Sequence, residues 1–144
     1  LMRAERKDPL SQNYRLFEFD QTHILAVVGQ YKFNNNWELG ARFRYVTGAP
    51  YTPITGSVYN VDANTFEGVP GGVNSRRGPD FHSLDIRLDR NWIFDTWILT
   101  AYLELRNAYN RENVEFVDYN FDFSEERNAT GLPIIPSLGI RGEF

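Results

Sequence analysis

The sequence predicts an all-β protein of antiparallel strands, and three observations support this prediction. Apolar and polar residues alternate with a period of two, which is the side-chain period of a β-strand. The alternating segments are rich in aromatic and β-branched residues, and the 144-residue chain contains 3 Trp, 8 Tyr and 11 Phe. No long stripe of apolar residues recurs at the helical spacing of 3.6 residues.

Five segments carry the alternation strongly enough to predict strands. They are 22–33, 37–46, 82–94, 97–106 and 136–144. Residues 1–20 give a weaker indication of an earlier strand followed by a polar loop, so five to six strands are expected.

The connections between these segments alternate between short and long. The short ones are 34–36, which is Asn-Asn-Asn, and 95–96, which is Asp-Thr; both are typical of hairpin turns. The long ones are 47–81, rich in Gly and Pro, and 107–135, rich in Asn, Asp and Glu. An antiparallel meander would place all short turns at one end of the sheet and all long loops at the other.

Each strand has one apolar face and one charged face. Arg90 is the only charged residue on the apolar face. A soluble antiparallel sheet also has one dry and one wet face, so alternation alone leaves a soluble sandwich and a transmembrane barrel open. In a barrel the charged face would line the lumen with a network of eight residues: Arg42, Arg44, Asp85, Arg87, Asp89, Glu104, Arg106 and Arg141.

Three features favour the transmembrane barrel. Aromatic residues flank the short turns, as in the girdle at a bilayer interface. Strands of about ten residues have the length that a tilted strand needs to cross a bilayer. Short turns at one end of the sheet and long loops at the other are typical of outer-membrane barrels. A lipid-facing Arg90 near this girdle would cost about 0–1 kcal/mol, against ~2–4 at the midplane. The expected girdle is Tyr31, Phe33, Trp37, Trp92, Phe94 and Trp97.

Composition narrows the function classes. The net charge of −4 argues against nucleic acid as a partner. The absence of Cys excludes disulfides, thiolate metal sites and cysteine nucleophiles. His23 and His82 have no partner at metal-ligand spacing, and the acidic stretch 118–127 is expected to be a solvated loop. We therefore expect no catalytic residues, no metal, no cofactor and no enzymatic activity.

Five stretches carry a family resemblance: FDQTH at 19–23, YVTGAPYTP at 45–53, SRRGPDFHSLDIR at 75–87, LRNAYNREN at 105–113 and PSLGIRGEF at 136–144. In this order they resemble the C-terminal part of a TonB-dependent outer-membrane receptor. The last stretch is similar to the terminal strand that the barrel assembly machinery recognises in this family. Ser137, Gly139 and Phe144 match that assembly signal, whereas Gly142 stands where the pattern has an aromatic residue.

The resemblance implies part of a 22-stranded barrel in the bacterial outer membrane, enclosing a plug and importing a scarce ligand such as a metal chelate, a vitamin or a glycan. The inner-membrane protein TonB would supply the energy, acting on parts that this chain lacks. This chain would form part of the wall of the barrel and part of its external opening. It would contact lipid, the plug and the remaining strands. In the external loops, Tyr51, Tyr59, Phe66 and Phe81 are candidates for stacking on the ligand, or for packing against each other.

Two alternatives remain from the residues themselves. One is a structural subunit that completes a barrel with another chain. The other is a soluble β-sandwich or lipocalin-like binding module, in which the apolar face would be an internal core. Because the smallest single-chain barrels need about eight strands, five or six would require further strands from elsewhere.

Overall fold

The computed structural model describes residues 3–7 and 14–144. This part of the chain is all-β, as predicted, and within it no helix has the length and apolar character needed to cross a bilayer. Its thirteen strands are β1 Glu5–Lys7, β2 Tyr14–Leu16, β3 Ile24–Lys32, β4 Trp37–Val46, β5 Pro50–Tyr51, β6 Ile54–Asn60, β7 Thr65–Pro70, β8 Arg76–Arg77, β9 Phe81–Ile93, β10 Ile98–Arg106, β11 Val114–Tyr119, β12 Glu126–Thr130 and β13 Ile135–Glu143.

One of two compact units, formed by residues 25–45, 82–112 and 132–144, contains most of a five-stranded sheet. The strand order is β13-β10-β9-β4-β3, so strands that follow one another in this set are neighbours in space. Each of the five predicted segments coincides with one of these strands to within two residues at either end. The sheet is open, with β3 and β13 as its two edges.

The short turns of this sheet are closed by local hydrogen bonds. The Phe33 amide donates to the Trp37 carbonyl over 3.1 Å, and the Phe94 amide donates to the Trp97 carbonyl over 2.9 Å. The Asn34 side-chain oxygen also accepts the amides of Asn36 (2.8 Å) and Trp37 (3.0 Å). Asparagine replaces a missing backbone partner in this way, which explains why an Asn-rich run makes the turn.

The register of the sheet separates its two faces. Leu103 of β10 lies opposite Leu88 of β9 and Leu138 of β13, while Glu104 lies opposite Arg87 and Ser137. Since neighbouring residues of a strand point to opposite faces, the leucines share one face and the charges share the other.

The usual distribution of apolar and polar residues is inverted. Among the described residues no hydrophobic side chain is buried, and Leu138 and Ile140 are 80% and 75% exposed. Buried hydrophobic side chains are the normal source of stability in a water-soluble domain. Apart from Gly48, Pro50 and Pro53, the buried residues of this part are polar: Asp20, Ser83, Asp85, Thr100, Asn107 and Asn113.

The other unit, formed by residues 1–24, 46–81 and 113–131, contains four two-stranded pairs among its described residues. Both long connections include regular structure: β6 pairs with β7, β5 with β8, and β11 with β12. In the first of these pairs Tyr59 lies opposite Phe66. The earlier strand expected within 1–20 corresponds to β1 and β2, which pair with each other and do not extend the five-stranded sheet. Residues 1–2 and 8–13 of that expectation lie outside the described part.

Candidate functional site

The charged face of the sheet is centred on a buried carboxylate, Asp85 of β9. Arg42 on the neighbouring β4 donates to Asp85 Oδ2 from Nη2 over 2.7 Å and from Nε over 3.2 Å. Arg44 lies 3.8 Å from the same oxygen, and the Asn107 amide donates to Oδ1 over 3.1 Å. Two arginines and a backbone amide therefore neutralise this carboxylate.

The remaining charged side chains pair mainly along their own strands. Arg87 is bidentate on Asp89, with its closest contact at 2.7 Å, and lies 3.8 Å from Glu104 on β10. Arg106 contacts Glu104 over 2.9 Å. Residues two apart on a strand share a face at a separation of roughly 7 Å, which long side chains can bridge. The predicted network is thus assembled as a ladder of ion pairs across β9 and β10.

Arg141, the last predicted member of the network, pairs with Glu143 of its own strand over 2.9 Å. Arg141 also lines a cavity of about 260 Å³ together with Arg87 and Asp89. A second cavity, of about 330 Å³, is lined by Gly40, Arg42 and Arg87, and the absence of a side chain at Gly40 leaves space there. The charged side chains that line the two cavities are paired with one another or with neighbouring charges.

Tyr102 of β10 lies flat across Gly139 of β13, its direct partner in the register. A Cβ added to Gly139 would come within 2.8 Å of Tyr102 Cε1. The Arg87 guanidinium stacks on the outer side of the same ring, 4.0 Å from its centre. Gly139, predicted as part of an assembly signal, therefore has a local role in seating an aromatic ring against an edge strand.

The predicted aromatic girdle forms separate contacts near the short turns. Phe94 stacks on Trp97 with ring centres 4.6 Å apart, and Trp97 stacks on the terminal Phe144 at 5.7 Å. Tyr31 and Phe33 meet edge to face at 5.1 Å. Phe94 and Trp97 of the predicted girdle thus form one aromatic cluster with the terminal Phe144.

The other two girdle residues surround Arg90. Its guanidinium lies 5.0 Å from the ring centre of Trp37 and 4.9 Å from that of Trp92. Both distances are within the range of a cation–π interaction. The single charge on the apolar face is therefore held between two indoles.

Two of the four aromatic residues proposed for ligand stacking are in direct contact. Tyr59 and Phe66 lie 5.1 Å apart and are joined at 5.5 Å by Phe121, which the sequence pattern did not indicate. Phe81 is the first residue of β9.

Tyr51 lies apart from these rings and donates from its hydroxyl to Glu126 over 2.9 Å. Burial, together with that carboxylate, raises the pKa of Tyr51. Tyr51 lines a cleft of about 320 Å³ with two prolines and two further aromatic residues; these four are Pro50, Pro79, Phe116 and Tyr119. The cleft supplies stacking surfaces, but it shares only Tyr51 with the predicted set.

A buried polar cluster that sequence reasoning missed surrounds Asp20. Its carboxylate accepts from Arg77 Nη2 over 2.6 Å and from the Ala4 amide over 2.6 Å. Arg77 Nη1 also donates to the carbonyls of Asp20 (3.0 Å) and Gly48 (2.8 Å). Arg77 in the first place, and the Ala4 amide in the second, lower the pKa of Asp20. No local pattern indicated that these residues meet.

Asn107 organises the end of β10. Its φ of 52° is left-handed, and its side-chain amide donates to the carbonyls of Arg111 (2.8 Å) and Leu132 (3.3 Å). Its side-chain oxygen accepts the Arg111 amide over 3.0 Å. One buried asparagine thus closes the turn 107–111 and ties it to the segment that precedes β13.

The two histidines and the acidic stretch show no metal-binding geometry. His82 Nδ1 and the Tyr109 hydroxyl are hydrogen-bonded at 2.6 Å. Asp122 accepts the amide (3.1 Å) and the hydroxyl (2.7 Å) of Ser124, which closes the turn between β11 and β12. Within residues 3–7 and 14–144, no group of three or more His, Cys, Asp or Glu side chains could hold a metal ion.

Comparisons with protein-family models, with curated proteins and with solved structures found no match for this chain.

Proposed function

We propose that this chain forms part of the wall of a bacterial outer-membrane β-barrel. More particularly, we propose that it is the C-terminal part of a TonB-dependent receptor that imports a scarce ligand. The observation that carries the proposal is the inverted distribution of residues in the sheet: none of its leucines and isoleucines is buried and several are exposed, whereas its buried side chains are polar. A lipid bilayer is a favourable environment for exposed apolar side chains, whereas water is not.

The apolar face has the features of a lipid-facing surface. Leu103, Leu138 and Ile140 are exposed along its strands. The stacked rings of Phe94, Trp97 and Phe144 lie at the end that carries the short turns. Aromatic rings at this level anchor a barrel at the membrane interface, because they are apolar in body and tolerate the headgroup region.

The charged face has the features of a barrel interior. Its carboxylates are neutralised by arginines, as at Asp85 and Arg42. Its two cavities leave room for water or for another polar surface. A polar interior is what an outer-membrane barrel encloses. In our proposal this face meets water or the plug.

The two open edges support a larger assembly. β3 and β13 each have one neighbour in the sheet. Unpaired backbone groups in a bilayer cost several kcal/mol each, as an order of magnitude, so a membrane sheet has to close on itself. We propose that further strands complete the barrel.

The receptor assignment is supported by contacts between the stretches that resemble the family. Asp20 and Arg77, from two of these stretches, form an ion pair, and Asp80 accepts the amide of Gly48 from a third. In the sheet, Asp85 accepts the amide of Asn107 from a fourth. Among the described residues, five of the six buried polar side chains lie in stretches that resemble the family, and Thr100 is the exception.

Two other functions make different predictions. A soluble β-module would bury the face that carries Leu138, whereas this residue is 80% exposed. A structural subunit that completes a barrel with another chain would share the lipid face and the open edges. It differs only in the source of the missing strands, so co-purification with a strand-donating partner chain would favour it.

Flotation with lipid vesicles tests the membrane proposal. The purified chain is diluted from denaturant into phosphatidylcholine vesicles, floated on a density gradient, and followed by far-ultraviolet circular dichroism and tryptophan emission. We expect β-structure and a blue-shifted tryptophan emission in the floated fraction, with the open edges of β3 and β13 paired between copies of the chain. Without lipid or detergent we expect aggregation. Folded, monodisperse protein in plain buffer would contradict the proposal.

A further inference from the structure

Arg90 differs from every other arginine of the five-stranded sheet in having no acidic partner among the residues that the structure describes. Arg42, Arg87, Arg106 and Arg141 on the charged face each contact a carboxylate within 3 Å, and Arg44 reaches one at 3.8 Å. In the described part of the chain, the contacts of Arg90 are with the rings of Trp37 and Trp92. No carboxylate of residues 3–7 and 14–144 therefore takes up the donors of its guanidinium.

The position of Arg90 is set by the sheet. It lies opposite Ala101 of β10, whose small side chain leaves the space above it open. The side chain is exposed, while Trp37 and Trp92 beside it are half-buried. The two indoles hold the guanidinium at a defined place on the apolar face, so its five donors are presented in a fixed fork.

We infer that Arg90, Trp37 and Trp92 form a binding site for the phosphodiester of an anionic glycerophospholipid. This inference rests on the proposed membrane location, because it places the site at the level of the aromatic cluster. A guanidinium matches two phosphate oxygens with parallel hydrogen bonds, and the indoles favour the interface where that phosphate lies. The neighbouring apolar side chains, including Leu88 and Leu99, would contact the acyl chains.

Charge complementarity selects the anionic lipid. The phosphate of phosphatidylcholine is balanced by its own choline, whereas that of phosphatidylglycerol is not. A single Lys or Arg near an anionic membrane surface contributes about 1 kcal/mol, which corresponds to a ~5-fold change in binding. The unpaired Arg90 should therefore give the chain a preference for phosphatidylglycerol of about that size.

The test compares Arg90→Gln with the matched variant Arg141→Gln, which removes an arginine from the charged face of the same sheet. Binding to phosphatidylcholine vesicles, with and without phosphatidylglycerol, is titrated by flotation and by tryptophan emission. We expect Arg90→Gln to weaken binding to the anionic vesicles about 5-fold and to leave binding to pure phosphatidylcholine nearly unchanged. Arg141→Gln should retain the preference, whereas Arg90→Lys, which keeps the positive charge but lacks the planar guanidinium, should retain only part of it.

Several outcomes would overturn the inference. These are an unaltered preference in Arg90→Gln, an equal loss in Arg141→Gln, and a full wild-type preference in Arg90→Lys, which would show that charge alone is recognised. Displacement of the chain from anionic vesicles by inorganic phosphate at constant ionic strength would identify free phosphate, and not lipid, as the ligand. If the wild-type chain binds neither kind of vesicle, the membrane proposal itself fails. If it binds both kinds equally, only the lipid site fails.

Discussion

Asp20 and Arg77 lie 57 positions apart and form a buried ion pair, with Arg77 Nη2 2.6 Å from Asp20 Oδ2. The carboxylate is fully buried and also accepts the amide of Ala4, while Arg77 reaches the carbonyl of Gly48. One pair of side chains thus connects the segments 1–24 and 46–81 of its unit. A buried charge is tolerated when its partner and additional hydrogen bonds are present together, and here both are.

The Asp20–Arg77 pair predicts a loss of stability in acid. Arg77 and the Ala4 amide lower the pKa of Asp20 from its ordinary value of 3.8. The contribution of the ion pair to the free energy of unfolding is therefore complete above about pH 4. It is lost as the pH falls through the lower pKa that Asp20 has in the folded state. We expect the protection factor of the Ala4 amide, which is its exchange rate relative to the intrinsic rate at the same pH, to fall in this window. Asp20→Asn, which cannot ionise, should show a lower protection factor at neutral pH and a smaller change on acidification. The same acid-dependent change in the protection factors of both proteins would contradict the assignment.

Gly139→Ala should destabilise the sheet by about 1–3 kcal/mol, because the new Cβ would displace the Tyr102 ring and the Arg87 guanidinium stacked on it. The measurement is urea unfolding in vesicles. Gly29→Ala on β3 is the control, since a Cβ there meets no atom within 4 Å. Adding Tyr102→Ala should remove most of the Gly139→Ala penalty. Additive effects of the two substitutions would show that the ring does not need this glycine.

The sheet could be predicted from the sequence because its signal is local. The period of two along 97–106 is enough to separate Leu103 from Glu104, and Asn34 marks a turn through its own backbone contacts. The contacts of Arg90 with Trp37 depend instead on how β9 lies against β4, across the long connection 47–81. The partner of Asp20 likewise depends on long-range packing, which leaves no periodic trace in the sequence.

The short strands of the long connections were missed for a related reason. β6 and β7 have mixed polarity, and Gly56 and Gly68 interrupt their alternation. Their pairing depends on a turn that includes Asn64, whose φ is 50°, and on the oxygen of Asn60, which accepts the Asp62 amide. The composition of this segment predicts a loop, but it does not indicate that a hairpin forms there or which residues pair in it.

Asn107 should be sensitive to substitution for two separable reasons. Its φ of 52° favours Asn or Gly, and its side-chain amide bonds Arg111 and Leu132. Asn107→Gly keeps the backbone conformation and should cost about 1–3 kcal/mol from the lost hydrogen bonds. Asn107→Ala should cost roughly 1–2 kcal/mol more, through left-handed strain. Urea unfolding in vesicles measures both, and equal stability of the Gly variant and the wild type would show that the amide contacts contribute nothing.

Leu138→Arg discriminates between water and lipid as the surroundings of the apolar face. Leu138 lies near the middle of β13 and is 80% exposed. In water, replacing such an exposed leucine should change the stability by no more than about 0.5 kcal/mol. In a bilayer, an arginine near the midplane should cost ~2–4 kcal/mol. We therefore expect a large loss of unfolding free energy for this variant in vesicles.

Ser137→Arg is the matched control for Leu138→Arg, because Ser137 is the adjacent residue on the charged face, opposite Glu104. The introduced arginine would meet a carboxylate there, so we expect at most a small change in the unfolding free energy. The difference between the two variants then reports the environment of one face against the other on a single strand. Equal, small effects of both substitutions would mean that lipid does not cover Leu138, and the membrane proposal would have to be abandoned.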